Sequence, residues 1–171
     1  MEIWQALGFV FTGIVGTLLH FLYDWTGGST VAALFSAVNE SIWEHMKLLF
    51  YPAAAFGLWE YLRWGRYRSD FWHVKLTGIL TGLALIPVLY YTYTGVLGIS
   101  ADWFNVTIFF LASGVMYYLE TRLFRQEKGR KTPAWLPIGI LVLIAVAFTV
   151  LTFLPPDIPL FQDPRTGIAG R

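Results

Sequence analysis

The stretch Asn39 to Pro52, NESIWEHMKLLFYP, decides how the rest of the chain is read. Between Asn39 and Lys47 it sets two carboxylates, a histidine and a lysine, and it then runs straight into an apolar segment long enough to enter a bilayer. Ionisable groups in or beside a membrane helix are costly, and they usually face a protein interior or a water-filled cavity. The stretch therefore points to a polytopic membrane protein with a polar feature built into one end of a span.

Composition supports that reading. Of 171 residues, 13% are charged and 56% hydrophobic, whereas soluble domains carry about 25% charged residues. Mean hydropathy is +0.56. The 8 Trp and 9 Tyr suit aromatic belts at two membrane interfaces. A formal charge of +1 argues against a nucleic-acid partner. With no cysteine, disulfides, thiolate metal sites and thiol catalysis are excluded.

A hydrocarbon core about 30 Å thick takes roughly 20 apolar residues as helix. Five segments meet that length, at about 3–23, 41–64, 71–93, 103–124 and 134–153. The fold expected is all-α: a polytopic membrane bundle of five transmembrane helices over residues 1–154, with a tail over 155–171. Gly27, Gly28 and Ser29 break the first helix. Val31 to Val38 is apolar but too short to cross, and is expected as a short interfacial helix; the alternative is a continuous N-terminal extension of the second span. The fifth span has no ionisable side chain and reads as a lipid-facing wall.

Basic residues set the orientation. Arg63, Arg66, Arg68 and Lys75 follow the second span, and Arg122, Arg125, Lys128, Arg130 and Lys131 follow the fourth. The loops after the first and third spans hold only Asp24 and Asp102. The protein is expected in the cell membrane with a cytoplasmic N-terminus and a non-cytoplasmic C-terminus. The opening MEIWQALGF lacks a basic n-region and reads as the start of the first span.

That topology puts several polar groups at one level. His20 and Asp24 close the first span, while Glu40, Glu44, His45 and Lys47 open the second. On a helix advancing about 100° per residue, Glu40, Glu44 and Lys47 fall within about 60° of each other. Gly13, Thr17, His20 and Asp24 share one face of the first span, with small residues that allow close helix approach. Packed face to face, His20, Asp24, Glu40, Glu44 and His45 would converge in a pocket.

Imidazoles and carboxylates in that combination suit a divalent ion such as zinc or manganese. The candidate ligands are His20, Glu40, Glu44 and His45. An open position on the ion would activate water for hydrolysis, with Glu44 and His45 as acid-base groups. Asn39, Ser41, Lys47 and Asp24 are further ligand-binding candidates, Lys47 as charge partner or anion anchor. The HExxH spacing is absent.

The competing reading is a buried salt-bridge network that pairs Lys47 with Glu40 or Glu44 and His20 with Asp24, with Asn39 or Ser36 as helix N-cap. A Ser41–His45 hydrolase, with Glu44 or Asp24 as orienter, lacks a nucleophile elbow. At the other end, Glu60 with Arg63 and Glu120 with Arg122 read as interfacial ion pairs.

LFSAVNESIWEHMKLLFYP (Leu34 to Pro52), PLFQDPRTGIAG (Pro159 to Gly170) and DWTGG (Asp24 to Gly28) resemble the motifs of a family of small bacterial and archaeal multi-pass membrane proteins of unknown function. The resemblance implies that the motif after Asn39 and the tail belong together. Asp163 and Arg165 are then expected to fold back over the pocket and join the ligand-binding set. The leading expectation is a membrane protein whose outward-facing polar pocket binds a small molecule or a divalent metal. The alternatives are a transporter or channel subunit using the same carboxylates, and a structural protein held by salt bridges. A homo-oligomer is left open.

Overall fold

The structure is a computed structural model and describes residues 2–126 and 133–169. Its elements, among the described residues, are all helical. In chain order they are α1 (Glu2–Trp25), α2 (Thr30–Ala33), α3 (Ile42–Arg63), a single 3-10 turn (Gly65–Tyr67), α4 (Phe71–Leu97), α5 (Asp102–Arg125) and α6 (Trp135–Phe153). The five long helices lie within a few residues of the apolar segments. Lys128, Arg130 and Lys131 of the second basic loop lie outside the described residues, as does Gly170 of the tail motif.

The chain is turned inside out relative to a water-soluble bundle. The buried stripe of α1 is Gln5, Gly8, Thr12, Gly13 and Gly16, while Ile3, Val10 and Ile14 are more than half exposed. On α6, Val142, Leu143 and Val146 are likewise exposed. Water penalises such surfaces and lipid does not. By length and composition three helices can cross a membrane: α1, α4 and α6. This is fewer than the expected five. The difference lies in α3, which carries Glu44, Lys47, Glu60 and Arg63, and in α5, which carries Asp102, Glu120, Arg122 and Arg125.

α4 packs on α5, α1 on α3 and α5, and α6 on α3 and α4. Leu49, Ala53, Ile79, Ala112 and Met116 form the centre of the core. Phe148 of α6 stacks between Trp43 and Phe50 of α3, with ring centroids 4.7 and 5.3 Å away. At Gly16 α1 comes close to the backbone of α3. A Cβ there would sit 2.6 Å from the Leu48 carbonyl oxygen and 2.7 Å from the Phe109 ring. Gly16→Val is expected to cost about 1–3 kcal/mol by overpacking, read as a lower melting temperature in detergent. Gly139→Ala on α6, where a Cβ meets nothing within 4 Å, should leave melting unchanged or raise it.

Between α1 and α3 the chain takes neither expected form in full. Helix is confined to Thr30–Ala33, and α3 starts only at Ile42, so the continuous extension is ruled out. Ser41 is the N-cap and accepts from Glu44 N at 3.4 Å, the role expected of Asn39 or Ser36. Asn39 Oδ1 instead accepts from Ser41 N. Buried Ser36 ties the connection to α1: its Oγ donates to Leu19 O and accepts from Tyr23 N.

Candidate functional site

His20 sits in the penultimate turn of α1, and His45 sits in the first turn of α3. Glu40 precedes α3 and lies outside the helix, so its side chain is free of the helical register. It reaches both imidazoles. Its Oε1 is 3.8 Å from His20 Nε2 and its Oε2 is 3.5 Å from His45 Nε2. The two imidazole rings are 5.3 Å apart between centroids. One ligand atom from each of the three residues lies within 4.8 Å of the others.

His45 Nδ1 lies 2.9 Å from Ser41 O. A carbonyl only accepts, so a proton belongs on Nδ1, and Nε2 is the nitrogen that faces Glu40. Such a backbone contact behind a histidine orients metal-ligating rings. Two ligand atoms about 2.1 Å from a tetrahedral ion stand about 3.4 Å apart. Each imidazole nitrogen stands near that distance from a Glu40 oxygen, 3.8 and 3.5 Å, though from a different one, and one atom from each of the three residues meets within a looser 4.8 Å.

A cavity of about 240 Å³ opens beside the three residues, lined also by Gly16, Leu48, Val106 and Phe109. A recess of about 20 Å³ adjoins it behind Glu40 and His45, against Ile86, Tyr90 and Ile108. It has room for about one water.

The tail closes the same end of the bundle. Trp43 N donates to Leu160 O at 3.1 Å, and buried Phe161 stacks on Trp43 at 4.7 Å. Asp163 Oδ2 accepts from Glu40 N at 3.3 Å, and its Oδ1 accepts from Arg165 N at 2.7 Å. Arg165 then reaches over the cavity. Its Nη2 donates to Asp102 at 3.0 Å, and Nη1 lies 3.7 Å from Glu40. The hydrogen bond to Asp102, with the Glu40 charge next, holds the guanidinium further into its charged form.

Other candidates are placed elsewhere. Glu44 points away from the histidines, toward α6. Its Oε2 pairs with Lys47 Nζ at 2.5 Å and accepts from Val38 N at 3.0 Å, while Oε1 accepts from Thr152 at 2.8 Å. Lys47 also donates to Ala33 O and to Thr152 Oγ1. Both side chains are buried. Glu44 thus lies outside the three-residue group expected to include it, its carboxylate engaged by Lys47, Val38 N and Thr152. Lys47 is its charge partner and lines neither cavity. Ser41 is 1% exposed and spends its hydroxyl on the cap, so it is no nucleophile. Asp24 lies exposed at the end of α1, outside the three-residue group and the cavity lining.

A second buried network fills the opposite half of the bundle. Lys75 Nζ donates to Glu60 Oε2 at 2.7 Å and to Glu120 Oε2 at 2.6 Å, and Gln5 Nε2 donates to Glu60 Oε1 at 2.8 Å. Glu60, Lys75 and Glu120 have no exposed surface. The expected pairs Glu60–Arg63 and Glu120–Arg122 do not form. Lys75 is a core residue of α4, not a loop cation. Arg63 and Arg122 instead lie over the rings of Trp59 and Tyr118.

A family model matches residues 1–171, the whole chain. The protein belongs to the Family of unknown function (DUF6512). No curated protein and no solved structure matches it. For this DUF6512 chain, any argument about function therefore rests on the geometry above. The sequence missed Thr152, the buried role of Lys75, and Asp102 as the anchor of Arg165. One local signal was present: Ser41-x-x-Glu44 has the capping-box spacing, which places the helix start after Glu40.

Proposed function

We propose that this is an integral membrane protein of five crossings that binds a divalent metal ion, zinc above all, at His20, Glu40 and His45 in a pocket on the non-cytoplasmic side. The observation that carries the reading is the spacing of the three ligand atoms beside a cavity, with His45 oriented from behind by Ser41 O. Two histidines and one carboxylate leave a fourth position on zinc for water or a ligand, the pattern of sites that do chemistry.

The crossing of α3 and α5 is supported by burial. Glu44, Lys47, Glu60 and Glu120 face protein and are at most 2% exposed, so lipid need not solvate them. Glu2 pairs with Arg125, which groups the N-terminus with the basic loops. Arg63, Arg66, Arg68, Arg122 and Arg125 then make that end cytoplasmic. A hydrolytic step fits the open position, with the ion lowering the pKa of bound water. The transporter reading is favoured less, since Glu60 is enclosed and lines neither cavity. The buried salt-bridge networks stand beside the metal site and stabilise the bundle that holds it.

The test is elemental analysis of protein purified in detergent, loaded with zinc and desalted. The wild type is expected to keep a single ion per chain. His20→Ala, His45→Ala and Glu40→Gln should each lose it, and Asp24→Asn should keep it. Protons compete with zinc for imidazole. Retention should therefore fall as pH is lowered. Zinc content that is the same in His45→Ala and the wild type would overturn the proposal.

A further inference from the structure

We infer that the occupant of this pocket is a phosphate-bearing lipid. Its headgroup would sit at the His20–Glu40–His45 metal site beside Arg165, and its hydrocarbon chain would run between α1 and α5. The inference rests on the metal reading and adds the class of ligand.

The first reason is size. A cavity of about 240 Å³ is several times what an ion with one bound water needs, since a water occupies about 30 Å³. The second is its division into two zones along the helix axes. His20, Glu40, His45, Asp102 and Arg165 line the end nearest the surface. Beyond Asn105 on α5, and about one turn deeper on α1 at about 1.5 Å per residue, the lining becomes largely apolar, with Leu48, Val106, Phe109 and Phe110 facing Gly16 and Thr17. A soluble anion would leave that apolar half in contact with water. An amphiphile matches both halves.

The third reason is where the cavity opens. α3 provides its floor through His45 and Leu48, and α1 and α5 provide its flanks. The flanking side chains are also exposed at the outer surface of the bundle: Val106 at 56%, Phe21 at 45% and Phe110 at 39%. Under the five-crossing reading that surface faces lipid, so a chain enters sideways from the bilayer without passing through water.

The headgroup follows from the donors on offer. A divalent ion and Arg165 are balanced by Glu40, Asp102 and Asp163, so an anion is drawn by the open position on the ion and by the guanidinium, not by a net positive charge. Guanidinium has five N–H donors, and two contacts leave some of them free to meet an anion. Phosphate oxygens suit both a zinc ion and a guanidinium fork.

The experiment uses the full chain in detergent, zinc content measured first. Zinc-loaded protein is then equilibrated with mixed micelles of phosphatidic acid, with diacylglycerol of the same chains, or with glycerol 3-phosphate in solution, and the retained ligand is quantified. The wild type is expected to retain phosphatidic acid roughly tenfold more tightly than either other probe. Val106→Trp fills the apolar flank at an exposed position. It should keep zinc at the wild-type ratio yet lose phosphatidic acid by roughly tenfold. Arg165→Gln should keep zinc and weaken phosphatidic acid while leaving diacylglycerol unchanged. Equal retention of glycerol 3-phosphate, equal retention of diacylglycerol, or full retention by Val106→Trp each overturns the inference while the zinc result stands. A wild type that binds no zinc removes the metal reading and this inference with it.

Discussion

Lys75→Met is expected to destabilise the protein by about 3–5 kcal/mol. Lys75 is fully buried between two carboxylates, 2.7 Å from Glu60 and 2.6 Å from Glu120. Methionine fills nearly the same volume, so the loss is electrostatic. Two carboxylates would remain enclosed with Gln5 as the donor still in place. A buried ion pair is weak evidence of net stability, yet breaking one side of it is severe, because the surviving charge has neither water nor partner.

The prediction has an internal control. Adding Glu60→Gln and Glu120→Gln to Lys75→Met removes the orphaned charges and should recover much of the loss. Gly57 and Gly78 leave room for this network. A Cβ at either would come within 2.9 Å of the Lys75 or Glu120 side chain, so the triad cannot slide to make new contacts. Melting of the single and triple variants beside the wild type in detergent reads the effect. A single variant that melts with the wild type would show the network to be dispensable.

The helices could be read from the sequence because long apolar runs are hard to conceal. α1, α3, α4, α5 and α6 all begin and end near the residues that apolar length suggested. The meeting of α1 with α3 was also legible, since Gly13, Gly16 and His20 share a face and only small residues permit that approach. The partners of the charges were not. A helical wheel assumes a helix, and Glu40 precedes Ile42, where α3 starts. Once Glu40 leaves the register, its direction no longer follows from that of Glu44, and the two carboxylates separate by function.

Lys75 was misread for a related reason. Its nearness in sequence to Arg66 and Arg68 suggested a loop cation, whereas it falls on the second turn of α4, facing α3 and α5. Thr152 was invisible in a helix whose polar side chains are two threonines. A hydroxyl carries no signal until a buried carboxylate is placed opposite it.

The second large effect is expected for Lys47→Met, again about 3–5 kcal/mol. This variant bears on function as well as on stability. Lys47 neutralises Glu44 and bonds Ala33 O and Thr152, so it joins the connection after α1, the start of α3 and the end of α6. Its loss strands Glu44, a residue only 2% exposed. Glu44→Gln with Lys47→Met removes both charges and should restore much of the stability.

If the metal site is His20, Glu40 and His45 alone, the double variant still binds zinc, since neither altered residue touches the three. If Glu44 were a ligand, zinc would be lost from the double variant and from Glu44→Gln even where both are folded. Melting and zinc content measured on the same samples therefore separate a residue that builds the site from one that belongs to it. The geometry expects Glu44 to build: Val38 N and Thr152 Oγ1 hold its carboxylate on the side away from the histidines, and Lys47 neutralises it there.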